Sequence, residues 1–264
     1  LAPMPAATLP AFLQAQNGLY IRQELELMEL MTGCETKNRY TVSNIGRETL
    51  IPTDPDSNWS ERFRKQAGYA PLLKGKEESE CFNRVCCPLF REFEMTFWDG
   101  ANQPFFKLDR PFKFDFCYCH PMCHATQQEM SLSTNGQTVA IAKETTGQCF
   151  TTGCCGRQFT TYDGTGKEMY TLKANDCSSG SAGCNFCAPT ICNQSYTIDV
   201  YDPAGQLVGG SPSTFVFPGC NFGGLTDLTN MVVNFPPNAS DQERAGLITG
   251  MFLIEFAVME LRRQ

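Results

Sequence analysis

Five stretches of the chain share one pattern: a run of alternating apolar and polar residues, a short turn, and a second run. The first runs begin at residues 39, 92, 129, 158 and 195, and the clearest turns are Asn135-Gly136 and Asp163-Gly164. Alternation with a period of two is typical of strands with one buried face, and Asn-Gly and Asp-Gly favour tight hairpin turns. Five hairpins predict about ten antiparallel strands, and we expect so large a set to close or curl to hide its edges.

Three parts of the chain fall outside this pattern. Residues 1–18 are rich in Pro, Ala and Gln, and we expect a flexible arm there. Residues 52–80 are polar, and we expect a surface insertion between the first two hairpins. Residues 241–261 follow good N-cap residues such as Ser240, which predicts a C-terminal helix. The pattern thus predicts a single domain over residues 19–264.

Two interpretations of the C-terminal helix compete. Its apolar residues, Phe252 among them, fall on every side, which is typical of a helix in a large core or a bilayer. The 17 residues of 245–261 reach only about 25 Å, short of a ~30 Å hydrocarbon core, and Glu255 would be costly in lipid. Gly246 and Gly250 have the spacing of paired membrane helices, but the same spacing lets a helix approach strands closely. We favour a helix threaded through the barrel, with a membrane span as the alternative.

Composition narrows the functional classes. A net charge of −7 argues against non-specific nucleic-acid binding. The sequence has no G-x-S-x-G, P-loop or H-E-x-x-H motif, so we predict no catalytic residues and no classical enzyme. Its unusual feature is 15 cysteines, which fall almost wholly in the predicted connections. That placement favours anchoring, metal-binding or redox roles over core packing.

Several segments, taken in their order and spacing, resemble one family. They are Gln23–Gly33 with Glu35-Thr36 and Asn38-Arg39-Tyr40, then Cys81 with Cys86-Cys87, Arg110-Pro111, Cys117–Cys123, Thr226-Asp227, Asn234-Phe235-Pro236 and Phe252–Phe256. Over about residues 19–261 the chain resembles the phospholipid scramblases of the tubby-like C-terminal superfamily. The resemblance implies a mainly β fold, a closed antiparallel barrel of about 12 strands around a hydrophobic C-terminal helix.

The resemblance also implies a function, the Ca²⁺-dependent and ATP-independent movement of phospholipids between membrane leaflets. Membrane phospholipids are then the partners, and the expected location is the cytosolic face of the plasma membrane or mitochondria. Relatives in the superfamily bind phosphoinositides without moving lipids. The alternative is therefore a non-transporting binding or structural subunit, docked on a larger membrane complex or on anionic lipids.

The resemblance places the calcium segment of the family on residues 227–238. Its ligand positions fall on Asp227, Thr229, Met231, Val233 and Asn238. A calcium loop needs several carboxylate oxygens and a glycine at its sharp turn. Only one of these positions is a carboxylate, and Val232 stands at the turn. We expect weakened or lost Ca²⁺ control, and the alternative interpretation is a strand and loop that lead into the helix.

By resemblance, Cys117, Cys119 and Cys123 are acylation sites that carry palmitate and anchor the protein. Each buried methylene of an acyl chain contributes about 0.8 kcal/mol, so two chains anchor stably.

Metal binding is a second hypothesis for the same thiols. Both histidines of the chain, His120 and His124, lie in this segment, and thiolates with imidazoles suit Zn²⁺. Cys184 and Cys187 add a C-x-x-C pair, which could hold its own ion or share one. Two further interpretations stay open: reduced loop thiols, and disulfides, which would require an oxidising compartment.

Overall fold

A computed structural model describes residues 8–14, 16–24, 38–46, 49–66, 69–79, 91–113, 127–145, 156–175, 185, 187–190, 192–208, 213–217 and 230–260. Within these residues the helices are α1 (Leu9–Gln14), α2 (Ser57–Arg64) and α3 (Asp241–Ile254), and α3 continues into a π-helical turn, Glu255–Met259. The strands are β1 (Gly18–Glu24), β2 (Arg39–Ile45), β3 (Leu73–Glu78), β4 (Phe93–Trp98), β5 (Pro104–Arg110), β6 (Glu129–Thr134), β7 (Gln137–Glu144), β8 (Gly156–Asp163), β9 (Glu168–Asn175), β10 (Ser195–Tyr201), β11 (Ser213–Val216) and β12 (Asn230–Asn234).

The twelve strands form one closed antiparallel barrel, in which each strand pairs with its neighbours in sequence. β1 closes the barrel against β12, with Leu19 opposite Val233 and Ile21 opposite Met231. Side chains alternate as expected for a sheet with one buried face: in β4, Met95 is fully buried and Glu94 is exposed. The prediction of a mainly β, closed barrel around a C-terminal helix is confirmed.

Helix α3 fills the interior of the barrel. Every residue from Arg244 to Ile254 is buried, and the helix contacts β6, β7, β8, β9 and β12. A Cβ atom added to Gly246 would lie 2.6 Å from Met169 Cε, and one added to Gly250 would lie 2.9 Å from Leu172 Cδ2. The two glycines therefore bring the helix backbone directly against β8 and β9. Of the two interpretations from sequence, the core helix is confirmed over its described residues, 241–260.

The start of α3 is fixed by a capping box and a buried arginine. Ser240 Oγ accepts from the Glu243 backbone N–H at 3.3 Å, and a Glu243 carboxylate oxygen accepts from the Ser240 N–H at 2.7 Å. Arg244 Nη1 donates to the carbonyls of Leu13 and Gln16 at 2.6 and 2.7 Å. These bonds join the helix to α1 and to the approach to β1.

The flexible arm predicted for residues 1–18 is wrong where α1 forms. Leu9, Phe12 and Leu13 are buried at the barrel end, and α1 packs on α3. Their i, i+3, i+4 spacing is that of an apolar helical stripe, and Pro10 is tolerated because it stands in the first turn. The stripe is a single turn and a half long, too short to stand out in a Pro-rich segment.

The surface insertion predicted for residues 52–80 also needs correction. Its C-terminal part, Leu73–Glu78, is strand β3, which pairs with β2 and β4. The second run of the first hairpin, predicted at 47–51, is not a strand in its described residues, 49–51. β3 takes that place because its inward positions alternate correctly, although they carry Gly75 and Glu77 rather than large apolar side chains.

The remainder of the insertion covers the outside of the barrel. Phe63 of α2 is buried with Tyr20, Ile45 and Val232 in a second, smaller core. Trp59 stacks on Phe63, with ring centroids 5.3 Å apart and planes 12° from parallel. The outer faces of β1, β2, β11 and β12 are therefore covered around Tyr20, Ile45 and Val232, which explains why most residues of these strands are buried on both sides. Arg22 of β1 and Arg39 of β2 lie beyond this cover and are exposed.

Candidate functional site at the cysteine end of the barrel

The two ends of the barrel differ in the connections they carry. Because successive strands are antiparallel, six connections start and finish at the same end: β1–β2, β3–β4, β5–β6, β7–β8, β9–β10 and β11–β12. All 15 cysteines and both histidines fall in these six connections, so this end is named the cysteine end. The opposite end, named the turn end, carries turns as short as 135–136 and has no cysteine in its connections.

The predicted thiol sites lie mostly outside the described residues. This holds for the lipidation candidates Cys117, Cys119 and Cys123 and for the zinc candidates His120, His124 and Cys184. Cys187 and Cys192 are described, and both are exposed with free thiols. In the described part of the chain, no three His, Cys, Asp or Glu side chains are grouped so that they could hold a metal ion.

Cys187 is held close to the barrel by its neighbour Asn185. The Asn185 side chain donates to the Thr197 carbonyl at 2.8 Å and accepts from the Thr197 N–H and hydroxyl at 2.8 and 3.0 Å. Asn185 is buried, whereas Cys187 is exposed and has φ +58°. This part of the β9–β10 connection therefore presents a thiol to solvent from a fixed attachment on β10.

Strand β12 divides the predicted calcium segment. Asp227 and Thr229 precede β12 in the sequence and lie outside the described residues, whereas Asn238 follows β12 and is exposed at the turn end. Met231 and Val233 are fully buried in the barrel core. The strand extends about 13 Å between Asn230 and Asn234, at ~3.3 Å per residue. Calcium ligands lie about 2.4 Å from the ion, so one ion cannot bind at both ends of β12.

A cluster of buried and partly buried charges lies just inside the cysteine end. It is named the charged cluster and consists of Glu77, Arg91, Arg110, Glu144, Arg157 and Glu260. Arg91 is 1% exposed and Glu77 is fully buried. Arg91 Nε donates to Glu77 Oε1 at 3.1 Å, and Arg91 Nη1 donates to Glu260 Oε1 at 2.9 Å. Arg91 therefore joins β3 to the end of the C-terminal helix.

The ion pairs control the protonation of these groups. Burial alone would raise the pKa of Glu77, but the Arg91 charge and hydrogen bonds from Arg91, Ser79 and Asn38 hold this pKa below its usual value. Burial opposes the charge of Arg91 too, yet Glu260 and Glu77 raise the pKa of Arg91 above its ordinary value. Glu77 and Arg91 are therefore ionised at neutral pH in spite of their burial.

Two more arginines extend the cluster around the helix end. Arg157 makes a two-pronged ion pair with Glu144, at 2.6 and 2.7 Å, and its Nη1 donates to the carbonyl of Ala257 in the π-helical turn. Arg110 donates to Gln128 at 2.8 Å, and burial lowers its pKa to about 10. A π-helical turn leaves carbonyls displaced from the usual α-helical ladder, and one of them accepts from Arg157.

Aromatic rings complete the environment of these cations. The Arg91 and Arg110 guanidinium carbons lie 5.7 and 5.9 Å from the centroid of Phe256, which belongs to the π-helical turn. Phe93 of β4 lies at similar distances from both. The guanidinium groups therefore join the barrel wall and the helix end through ring faces as well as ion pairs. This arrangement fixes the end of the helix; it holds no nucleophile paired with a base.

The charged cluster was not predicted from the sequence. Its available signal was the alternation of β3, which puts Glu77 on the same face as the buried Leu73. A charged residue at an inward position is rarely buried without a partner. The partner could not be read from sequence, because Arg91 and Glu260 are separated by 169 residues.

The filled interior limits the routes that a ligand can take. Glu255 and Phe252 of the helix, like the facing side chains Phe159 and Leu172, are fully buried. An α-helix with its side chains is about 10–12 Å across, so α3 takes up the barrel lumen. Over the described residues, none of the helices is both long and apolar enough to cross a bilayer.

Comparisons with known proteins identify the family of the chain. The model of the Scramblase family matches residues 2–66 and 64–261. The chain is 25% identical to phospholipid scramblase 1 of Homo sapiens over 263 residues, 98% of this chain and 69% of that protein. It is 24% identical to phospholipid scramblase 2 of Bos taurus over 267 residues, 99% of this chain and 76% of that protein. No solved structure gave a significant match. Because the family match covers nearly the whole chain, this protein belongs to the scramblase family.

Proposed function

We propose that this protein is a membrane-associated, scramblase-like protein that moves phospholipids between leaflets without ATP. The observation that carries the proposal is the family match over residues 2–66 and 64–261. The proposed activity makes and breaks no covalent bond in the lipid, so it is transport rather than classical catalysis. Phospholipids of the membrane are the proposed partners, and nucleic acid is not one, in keeping with the net charge of −7.

The filled barrel favours a route for lipids outside the lumen. Helix α3 occupies the interior, and its side chains pack against five strands. A polar lipid headgroup that passed through the lumen would have to displace this core. Many side chains would then lose their packing contacts, which would destabilise the barrel. The proposed transport therefore uses the outer surface of the barrel or its cysteine end to lower the barrier that the headgroup meets in the bilayer.

Attachment through acylated cysteines is part of the same proposal. Cys117, Cys119 and Cys123 belong to the β5–β6 connection, which starts and finishes at the cysteine end. Palmitate on two of them would anchor the protein stably at the cytosolic face of the plasma membrane or at mitochondria. Replacing all three with serine should shift the protein from the membrane fraction to the soluble fraction of cells. An unchanged membrane fraction would exclude acylation of these residues as the anchor.

Calcium control is proposed to be weak or lost. The segment offers one carboxylate, Asp227, and β12 separates it from Asn238. A Ca²⁺ site normally needs six to eight oxygen ligands. The decisive experiment reconstitutes the full chain into liposomes with a fluorescent phospholipid and measures how fast the inner-leaflet label becomes accessible to a membrane-impermeant quencher.

The conditions of this experiment test transport and the loss of calcium control separately. We expect faster label exchange than in protein-free liposomes, without ATP, and at similar rates with 1 mM Ca²⁺ or with chelator. Exchange no faster than in protein-free liposomes under both conditions refutes transport. Exchange that needs Ca²⁺ refutes the loss of calcium control alone.

A non-transporting role is the second candidate, because the occupied lumen is equally compatible with a rigid docking module. In that case the barrel docks on a larger membrane complex or on anionic lipids. Stable co-purification with such a complex, together with no lipid exchange in liposomes, would favour it. Zinc binding by Cys117, Cys119, His120, Cys123, His124, Cys184 and Cys187 is a separate proposal, rejected if the purified protein contains less than about half an equivalent of zinc.

A further inference from the structure

A compact group of basic residues lies on the outer wall of the barrel. Arg22 of β1, Arg39 of β2, and Lys74 and Lys76 of β3 are all exposed. Arg39 is directly opposite Lys76, while Arg22 and Lys74 stand on either side of Thr41. With strands ~4.8 Å apart and outward residues ~6.6 Å apart along a strand, the four Cα atoms fit within an area of about 10 × 7 Å. These four residues are named the basic patch.

The basic patch differs from the remainder of the wall. Elsewhere on the wall, lysines contact an acidic or an aromatic side chain. Lys107 Nζ is 2.5 Å from a Glu94 oxygen, and Lys143 Nζ is 3.7 Å from a Glu129 oxygen. Lys173 Nζ is 4.0 Å from the centroid of the Tyr201 ring. Like charges that face each other across two strands destabilise a sheet. A protein of net charge −7 thus concentrates cations at one place where they oppose its own folding.

Among the residues that the structure describes, carboxylates lie only at the margin of the basic patch. Glu24 is opposite Arg39, and Glu78 lies two residues beyond Lys76 on the same face of β3. No described carboxylate is within 4.0 Å of the ammonium group of Lys74 or Lys76. With these two acids included, the patch keeps a net charge of about +2, on a wall rather than in a pocket.

We propose that the basic patch binds the surface of a bilayer that contains anionic phospholipid, so that the β1–β3 wall of the barrel faces the membrane. The inference rests on the membrane association proposed above, and it adds an orientation. A spread of cations on a convex wall matches a plane of many negative headgroups better than it matches one small anion, which would need a concave site. Arg39 stands at the cysteine end of β2, so the patch and the proposed acylation sites would face the same membrane.

Vesicle binding of the non-acylated full chain tests this orientation. The probes are vesicles of phosphatidylcholine alone and vesicles with 30% phosphatidylserine, in sedimentation assays at low and high salt. One basic residue near an anionic surface changes partition about fivefold. K74Q/K76Q should therefore weaken binding to the phosphatidylserine vesicles about 25-fold. The control K65Q/K167Q removes the same charge at two exposed lysines outside the patch and should bind like the unmodified chain.

Each outcome supports or overturns the proposed binding of the basic patch to an anionic bilayer. A selective loss in K74Q/K76Q that shrinks at high salt supports the proposal. Equal binding by both double variants, an equal loss in both, or no preference of the unmodified chain for phosphatidylserine overturns it. Circular dichroism confirms that the variants are folded. Lipid exchange is measured separately: exchange without a patch effect refutes only the orientation, and a patch effect without exchange refutes only the transport function.

Discussion

Replacing Arg91 with methionine tests whether the charged cluster holds the C-terminal helix in the barrel. The variant keeps an unbranched apolar side chain close to the size of the aliphatic part of arginine, but it removes the charge and the donors to Glu77 and Glu260. Two carboxylates, exposed at 0% and 10% of their side-chain surface, would then face each other without a cation. Removing one partner of a buried ion pair typically costs about 3–5 kcal/mol. We expect a loss in the free energy of unfolding within this range.

The pH dependence of that loss follows from Glu77. In the unmodified protein its pKa is held below 4.5, so the unfolded chain takes up the proton first as pH falls. The contribution of Glu77 to stability is therefore present above about pH 4.5 and is lost as pH falls through the lower, folded-state value. Without Arg91, burial raises the pKa of Glu77 above 4.5, and the folded variant takes up the proton first. The stability deficit of the variant should therefore shrink between pH 7.5 and pH 5.

Urea unfolding followed by far-UV circular dichroism measures both effects. With an m-value near 3 kcal/mol/M, a loss of about 3–5 kcal/mol lowers the midpoint by about 1–2 M at pH 7.5. Lys65→Met is the matched control, because it removes a cation from an exposed pair with Glu61 and should leave the midpoint unchanged.

A second variant tests whether the unpaired carboxylates cause the loss of stability in Arg91→Met. The triple variant Glu77→Gln, Arg91→Met, Glu260→Gln removes the carboxylate charges along with the cation and should recover most of the lost stability. The charged cluster would not hold the helix if Arg91→Met lowered the midpoint no more than Lys65→Met. A deficit that stayed constant from pH 7.5 to pH 5 would contradict the role of Glu77.

Three further changes probe the helix and the calcium segment. Ser240→Ala removes the capping box and should lower the free energy of unfolding by about 1 kcal/mol in urea titrations; no change would mean that packing alone sets the helix start. Gly250→Leu should lower the melting temperature by overpacking against β8 and β9, at a cost of about 1–3 kcal/mol or more, whereas Gly46→Ala enters open space and should not; equal melting would contradict the close approach. Asn238→Asp should create no Ca²⁺-dependent rise in melting temperature, and such a rise would place the calcium ligands nearer together than β12 allows.

The parts of the barrel that can be predicted from sequence are those where local chemistry is sufficient. The hairpins β4–β5, β6–β7 and β8–β9 have alternating strands joined by short turns, and both signals lie within about 20 residues. β11 escaped prediction because it is four residues long and buried on both faces, so it does not alternate. β12 is equally buried, and the sequence indicated it only as the strand in the alternative interpretation of residues 227–238. β3 escaped because Gly75 and Glu77 occupy its inward positions.

At the cysteine end, too, only the features that depend on local sequence could be predicted. That the cysteines lie in connections could be read from sequence, but that all six connections share one end depends on the antiparallel order of the closed barrel. The charged cluster depends on contacts between distant segments, such as Arg157 with Ala257. Periodicity cannot report such pairs, since it describes only neighbours along one element.

The closure of the barrel by β1 and β12 has a consequence for how the chain acquires its structure. Leu19 pairs with Val233, so β1 has only one neighbouring strand until synthesis has reached β12. The helix that fills the lumen comes later still, and the strands cannot close tightly around an empty interior. Contacts over such sequence separations predict slow folding, with open sheet edges exposed during synthesis. We therefore expect even short C-terminal truncations to yield aggregated protein rather than a smaller barrel.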